Sequence, residues 1–153
     1  MAAGDVTVFE QFYVDVQEGV HDLETDTIKL GLIDDTLAPT AADSDPRWGA
    51  GGSTNLSTNE VTPGGNYSAG GQEIANPTVT LVSNQGRFDG DDVDIAQDAS
   101  NPTDARYGII YNDTAAGKNA IAWLDLGASS DLSAGPFSVD WNASGIFEMG
   151  AAA

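Results

Sequence analysis

Apolar positions along most of this chain recur at every second residue, the period of a strand with one buried face. Thr27 to Ile33 puts Ile28, Leu30 and Leu32 on one side. From Pro77 to Val82, Val79 and Leu81 alternate with Thr78 and Thr80. Shorter runs follow at Gly86–Asp89 and Val93–Ala96, separated by the acidic turn Asp89-Gly90-Asp91-Asp92. Arg106–Tyr111 and Ala120–Leu126 are the most apolar strands predicted, and Asn112 to Asn119 between them reads as a hairpin loop. Phe137, Val139 and Trp141 alternate again, and Ile146, Phe147 and Met149 close the pattern.

One segment follows a different period. Val8, Phe9, Phe12, Tyr13, Val16 and Val20 recur at helical spacing, which predicts a short helix from Val8, capped by Asp5 or Thr7 and ended by Gly19. A strand is the rival reading, because Val6 and Val8, and Val14 and Val16, also alternate. Residues 34–73 carry no regular period. They are polar and Gly-rich, with Trp48, Leu56, Val61 and Tyr67 spaced among them. A structureless loop of that length is uncommon in a compact domain. The region is expected to cross the domain edge with one or two short strands and to serve as an arm for subunit contact. Strands at intervals of about ten residues, joined by Gly-rich turns, predict a mainly β fold. The expectation is a single domain over residues 1–153, a β-sandwich or jelly-roll-like fold with one short N-terminal helix.

Composition adds a strong charge signal. The chain has 24 Asp plus Glu against 5 Lys plus Arg, a formal charge of −19 in 153 residues. Its only lysines are Lys29 and Lys118. Such a surface repels itself in dilute buffer, and in molar salt the screening length shrinks to about 3 Å. The balance reads as a protein built for high salt, the other reading being an acidic protein kept soluble by repulsion. Both argue against nucleic acid as a partner, since phosphate contacts need Lys and Arg. With no cysteine, neither disulfides nor thiolate metal sites contribute. The opening MAAGDVTVFEQF lacks a basic region and a long apolar run, so no signal peptide is expected. No stretch has the apolar length of a membrane span, and no membrane partner is expected.

Chemical motifs are sparse. His21 is the only histidine, and no GxSxG elbow accompanies it, so a solvated or hydrogen-bonded histidine is expected beside Asp22. Among 24 acids some pair will lie close by chance, and none stands out as an acid/base couple. Asp89, Asp91, Asp92 and Asp94 form the one cluster resembling a hard-cation site, for Ca2+ or Mg2+. The EF-hand pattern fails there at Val93, Asp94 and Ser100, which leaves a solvated acidic hairpin turn as the plainer reading. Gly117-Lys118 lacks the rest of a phosphate-binding loop. Asn55, Asn66, Asn112 and Asn142 head N-x-[ST] sequons, which places them on expected exposed loops. No enzyme is predicted and no cofactor is required.

An ordered series of short motifs goes further. It runs through Asp22-Leu23-Glu24-Thr25-Asp26-Thr27-Ile28-Lys29-Leu30, Asn59-Glu60-Val61 and Gly65-Asn66-Tyr67-Ser68-Ala69-Gly70-Gly71. Phe88-Asp89-Gly90-Asp91-Asp92-Val93 and Ala105-Arg106-Tyr107-Gly108-Ile109-Ile110-Tyr111-Asn112-Asp113-Thr114 follow. It ends with Trp123-Leu124-Asp125-Leu126-Gly127 and Phe137-Ser138-Val139-Asp140-Trp141-Asn142-Ala143-Ser144-Gly145-Ile146-Phe147. From about residue 9 to 149 the chain resembles small structural proteins of the virions of tailed viruses, from phages and their archaeal relatives. The resemblance implies a non-enzymatic, β-rich particle component, made in the host cytoplasm and located at the virion surface. A capsid decoration or cement protein is the first expectation, with the major capsid protein and further copies of itself, as a trimer or other symmetric oligomer, for partners. A tail, neck or vertex component, turret or receptor-binding module included, is the alternative. A carboxylate hydrolase acting on glycans is a third class.

Brine screens charge steering but leaves apolar contact intact. Aromatic anchors are therefore expected at the partner contact, with Trp48 and Tyr67 of the 34–73 region as candidates beside Arg47. Trp48 could equally cap the core. Trp123 and Trp141 lie in predicted strands and are expected in the core, and Arg106 is expected in a structural ion pair.

Overall fold

A computed structural model describes residues 6–150. The described residues are mainly β with one α-helix, as the pattern predicted. Strand β1 (Thr7–Val8) leads directly into helix α1 (Glu10–Gln17). Then come β2 (Ile28–Ile33), β3 (Pro46–Arg47), β4 (Thr54–Asn55), a 3₁₀ turn at Leu56–Asn59 and β5 (Gln72–Glu73). The second half holds β6 (Thr78–Val82), β7 (Gln85–Asp89), β8 (Val93–Ile95), β9 (Ala105–Asn112), β10 (Ala120–Ser130), β11 (Phe137–Val139) and β12 (Phe147–Gly150).

Both readings of the N-terminal segment are partly right. Thr7 and Val8 pair with Trp123 and Ala122 on β10, and the Phe9 N–H donates to the Ile121 carbonyl at 3.0 Å. That edge draws the first residues into the sheet, so the helix begins later than Val8. Thr7 is a strand residue, Phe9 is the N-cap without a side-chain bond, and Asp5 lies outside the described residues. Gly19 ends the helix as expected. With φ at +72° it lets its own N–H reach the Val16 carbonyl, while Val20 N–H reaches Asp15, a Schellman closure.

The central sheet runs β1-β10-β9-β2-β5, all antiparallel. Smaller sheets are β12-β7-β6, the pair β11-β8 and the short parallel pair β3-β4. Alternation along β2 and β9 sends side chains to two apolar faces. Ile28, Leu30, Leu32 and Ile110 join the larger core, which also takes Phe88, Val93, Ile95, Phe137, Val139 and Phe147 from the smaller sheets and Phe12 from α1. On the opposite face Ile33, Tyr107, Ile109 and Tyr111 pack with Phe9, Trp48 and Leu56.

Residues 34–73 cover both faces: Leu37, Trp48 and Leu56 pack on the second, and Val61 and Tyr67 enter the larger core. The Trp48 N–H donates to the Lys118 carbonyl, Val61 N–H to Leu32 and Asp34 N–H to Asn59, so the segment is strapped to β2 and to the β9–β10 loop. Of its large apolar residues, Trp48, Leu56, Val61 and Tyr67 are buried and Leu37 is partly buried. The expected free arm is therefore a cover folded onto the central sheet. The acidic turn after β7 is likewise not a hairpin, because β7 pairs with β6 and β12 while β8 pairs with β11.

Candidate functional site

Trp48 and Tyr67, named from sequence as partner anchors, lie inside the fold. Trp48 is 5% exposed and stacks on Tyr111, with ring centroids 4.9 Å apart and planes 10° apart. Its ring lies directly over Gly31, where an added Cβ would run into the indole. Tyr67 is 1% exposed. Its hydroxyl accepts the Leu32 N–H at 2.9 Å and donates to Glu60 Oε1 at 3.1 Å, and Glu60 also accepts the Gly70 N–H. Desolvation raises both the Tyr67 and Tyr111 phenols well beyond the usual range, so neither ionises at ordinary pH. These rings are core residues, which corrects the expectation of exposed anchors. Arg47 stays partly open and pairs with Asp45 at 2.9 Å.

The four aspartates of the acidic turn diverge. Asp89 accepts the Gly90 N–H, Asp91 accepts the Asn76 amide at 2.6 Å, and Asp92 accepts the Trp141 N–H at 2.8 Å. Asp94 sits on β8 opposite Ser138. Each of the first three carboxylates holds a local bond, and among the described residues no group of three or more potential ligands converges. Trp141 also donates its indole N–H to the Asp91 carbonyl, tying the turn to the chain's end. Both Trp141 and Trp123 are only partly buried at the margins of the two cores.

Of the two expectations for His21, the hydrogen-bonded one holds and the solvated one does not. The His21 side chain has no exposed surface and lies against the Phe12 ring, centroids 5.1 Å apart. The Asn112 amide oxygen accepts two backbone N–H groups, from Thr114 and Ala115, which fixes the amide's orientation. Its nitrogen then donates to Asp26 Oδ2 at 2.6 Å and faces His21 Nδ1 at 3.2 Å. Nδ1 is thereby assigned as an acceptor and the ring proton goes to Nε2, 3.7 Å from Asp15 Oδ2. Asp15 itself is buried and accepts from Gln11 and from Asn119 Nδ2 at 2.9 and 2.8 Å. Burial lowers the His21 pKa, and the charges of Asp15 and Asp26 pull the other way without overcoming it. The cluster joins α1, the loop before β2 and the β9–β10 loop. Its members bond to one another except at His21 Nε2, which is buried without a hydrogen-bond partner, and no hydroxyl nucleophile is among the partners of His21. Asn112 is fully buried here, contrary to the exposed loop its sequon suggested.

All five Lys and Arg side chains are paired. Lys29 and Lys118 both engage Asp113, Arg87 engages Glu148, and Arg106 engages Asp125 as expected, alongside Arg47 with Asp45. At Asp113 desolvation would raise the carboxyl, but the hydrogen bonds from Lys118 and Lys29 prevail and lower it. Five bases cannot neutralise 24 acids, so the surface stays negative.

Against that background the β6–β7 hairpin stands out. Ser83 and Asn84 at its tip both have positive φ, 49° and 67°, the pattern of a tight two-residue turn. Register puts Val79 opposite Phe88 and Leu81 opposite Gly86, while Phe88 and Gly86 face Phe147 and Met149 on β12. Paired residues share a face. At Phe88 and Phe147 this face is core, and Met149 still packs against it; on the outer strand the face is uncovered. Val79 is 41% exposed and Leu81 is 81% exposed. β6 is also the outer strand of its sheet. Residues 74–88 form the longest run in the chain without an Asp or Glu.

Sequence reasoning identified this strand but took its apolar alternation for a buried face. Its signal as a surface was the absence of acids. Comparison of the chain with protein-family models, curated proteins and solved structures returns no match.

Proposed function

We propose that this chain is a structural component of a tailed-virus particle, a capsid decoration protein that stabilises the shell in high salt. The observation that carries the reading is the hairpin whose apolar face runs past the end of the core, Leu81 foremost. An enzyme needs convergent polar groups facing a cleft. Here the buried carboxylate and amide groups around His21 are largely engaged with one another, and the conspicuous open feature is apolar. The family resemblance in the motif series agrees with a particle component.

The physics suits a protein that joins surfaces. Burying one leucine side chain contributes about 1.5–3 kcal/mol before association costs. Repetition over a shell multiplies a small gain per copy. Brine screens repulsion between acidic bodies while leaving the apolar term in place.

The test is the copy number of this chain per purified particle, measured by quantitative mass spectrometry against the major shell protein. Decoration gives parity or a simple fraction of it. A few dozen copies or fewer would move the protein to the vertices, neck or tail, and absence from particles would overturn the reading.

A further inference from the structure

We propose that the hairpin's outer strand β6 is a self-pairing edge, and that two copies of this chain join there by laying β6 antiparallel against β6 across a two-fold axis centred on Leu81. The proposal rests on the particle-component reading and names one partner for the surface described there.

Three observations lead to a second copy as occupant. The first is the ladder. In an antiparallel pair, alternate residues turn their N–H and C=O away from the neighbouring strand. The Val79 N–H is one of these, because it donates outward to Glu24 Oε1 at 3.1 Å. Two residues on, Leu81 directs its N–H and C=O the same way, and among the described residues neither has a partner. One residue thus offers a donor and an acceptor side by side. A two-fold through Leu81 satisfies both reciprocally, each copy giving its N–H to the other's carbonyl, the isologous arrangement a symmetric dimer requires.

The second observation is where the edge is blunted. Natural sheets protect open edges with charge, proline or a covering side chain. Glu24 covers this edge at Val79, and Pro77 precedes it. Leu81 has neither form of protection, so the open portion is confined to the residue able to pair with itself.

The third is charge. A partner as acidic as this chain is repelled wherever carboxylates meet. Residues 74–88 carry no acid of their own; the carboxylates beside them are Glu24, held by the Val79 N–H, and Glu148, paired with Arg87. A second copy is such a partner, and this hairpin is where it approaches at least cost. Pairing also brings the two Leu81 side chains onto one face, beside the gap that Gly86 leaves in the neighbouring strand.

The chain has no cysteine, so one introduced cysteine reports one contact. Leu81→Cys, oxidised in molar KCl, is expected to form a disulfide-linked dimer on the order of tenfold or more faster than the exposed control Ser129→Cys. Wild-type chain in the same salt is expected to sediment as a concentration-dependent monomer–dimer equilibrium. Leu81→Asp should abolish that equilibrium with its unfolding midpoint unchanged. Equal cross-linking rates for the two cysteine variants would overturn the proposal, as would a wild type that stays monomeric at every soluble concentration. If Leu81→Asp still loads particles at full copy number, decoration stands on contacts other than this pairing. If wild type pairs yet is absent from particles, the pairing stands and the functional reading fails.

Discussion

Trp48 and Leu81 are large apolar residues in segments bounded by glycine, asparagine and threonine, and they meet opposite fates. The segment around Trp48 has no strand period, yet it folds down so that the indole fills the space over Gly31 and stacks on Tyr111. The segment around Leu81 has a clean strand period, yet its apolar side faces solvent. Local pattern reports which side of a segment is apolar. Whether anything covers that side depends on where the sheet ends, and the β12-β7-β6 sheet reaches beyond its core.

Several measurements would break that contrast. Trp48→Ala is expected to cost about 3–5 kcal/mol in denaturant unfolding, the usual loss for a buried aromatic. A loss below about 1 kcal/mol, the size typical of a surface change, would return Trp48 to the surface. Gly31→Ala tests the same contact from beneath. Its methyl group would meet the indole, and overpacking of this kind costs about 1–3 kcal/mol. A neutral result would mean that the ring moves aside freely.

Salt acts on the fold and on the hairpin edge in the same sense, by screening repulsion among carboxylates. The thermal midpoint is expected to rise from dilute buffer to molar KCl as repulsion among unpaired carboxylates is screened. A flat or falling midpoint would sink the adaptation to brine.

A gentler effect belongs to the buried cluster behind α1. Because His21 is held below its ordinary 6.5, the unfolded chain takes up a proton first as pH falls. Its contribution is whole above about pH 6.5 and is lost as pH drops through 6.5 toward the depressed folded value. The Asp113 carboxyl, lowered from 3.8, adds its own loss only at lower pH. Wild type should therefore lose stability between pH 7 and 5, and His21→Gln should flatten that slope. An unchanged slope in the variant would assign the loss to other groups.

Leu81→Asn is the smallest expected change. It should leave fold stability within about 0.5 kcal/mol while association weakens. A cost comparable to that of Trp48→Ala would erase the distinction between the two regions.

Most strands were legible because alternation and Gly- or Asn-bearing turns are local signals. β2, β6, β9 and β10 fall where the periods put them, within a residue or a few. The one-residue handover from β1 to α1 depends on a distant edge, that of β10, and so left both helix and strand readings plausible. The cover formed by residues 34–60 was hidden for the same reason, since only β2 and β9 together create the face that Trp48 fills. His21, Asp15, Asn112 and Asn119 are separated by up to 104 positions, and nothing in the chain's local chemistry announced their meeting. Arg106 was readable because a cation opening an apolar strand in an acidic chain has carboxylates nearby.

The scarcity of bases has a consequence for how the folded chain can be cut. Proteases that cleave after Lys or Arg need several residues of accessible, extended backbone. Lys29, Arg47, Arg87 and Arg106 all lie within strands, which leaves Lys118 in the β9–β10 loop. Its side chain is exposed, but its carbonyl is held by the Trp48 N–H and its φ is +47°, so even this site must open locally before it is cut. A first nick there would separate two strands that remain hydrogen-bonded along most of their length, and the fragments would stay together. Every further cut would then time the opening of a particular strand.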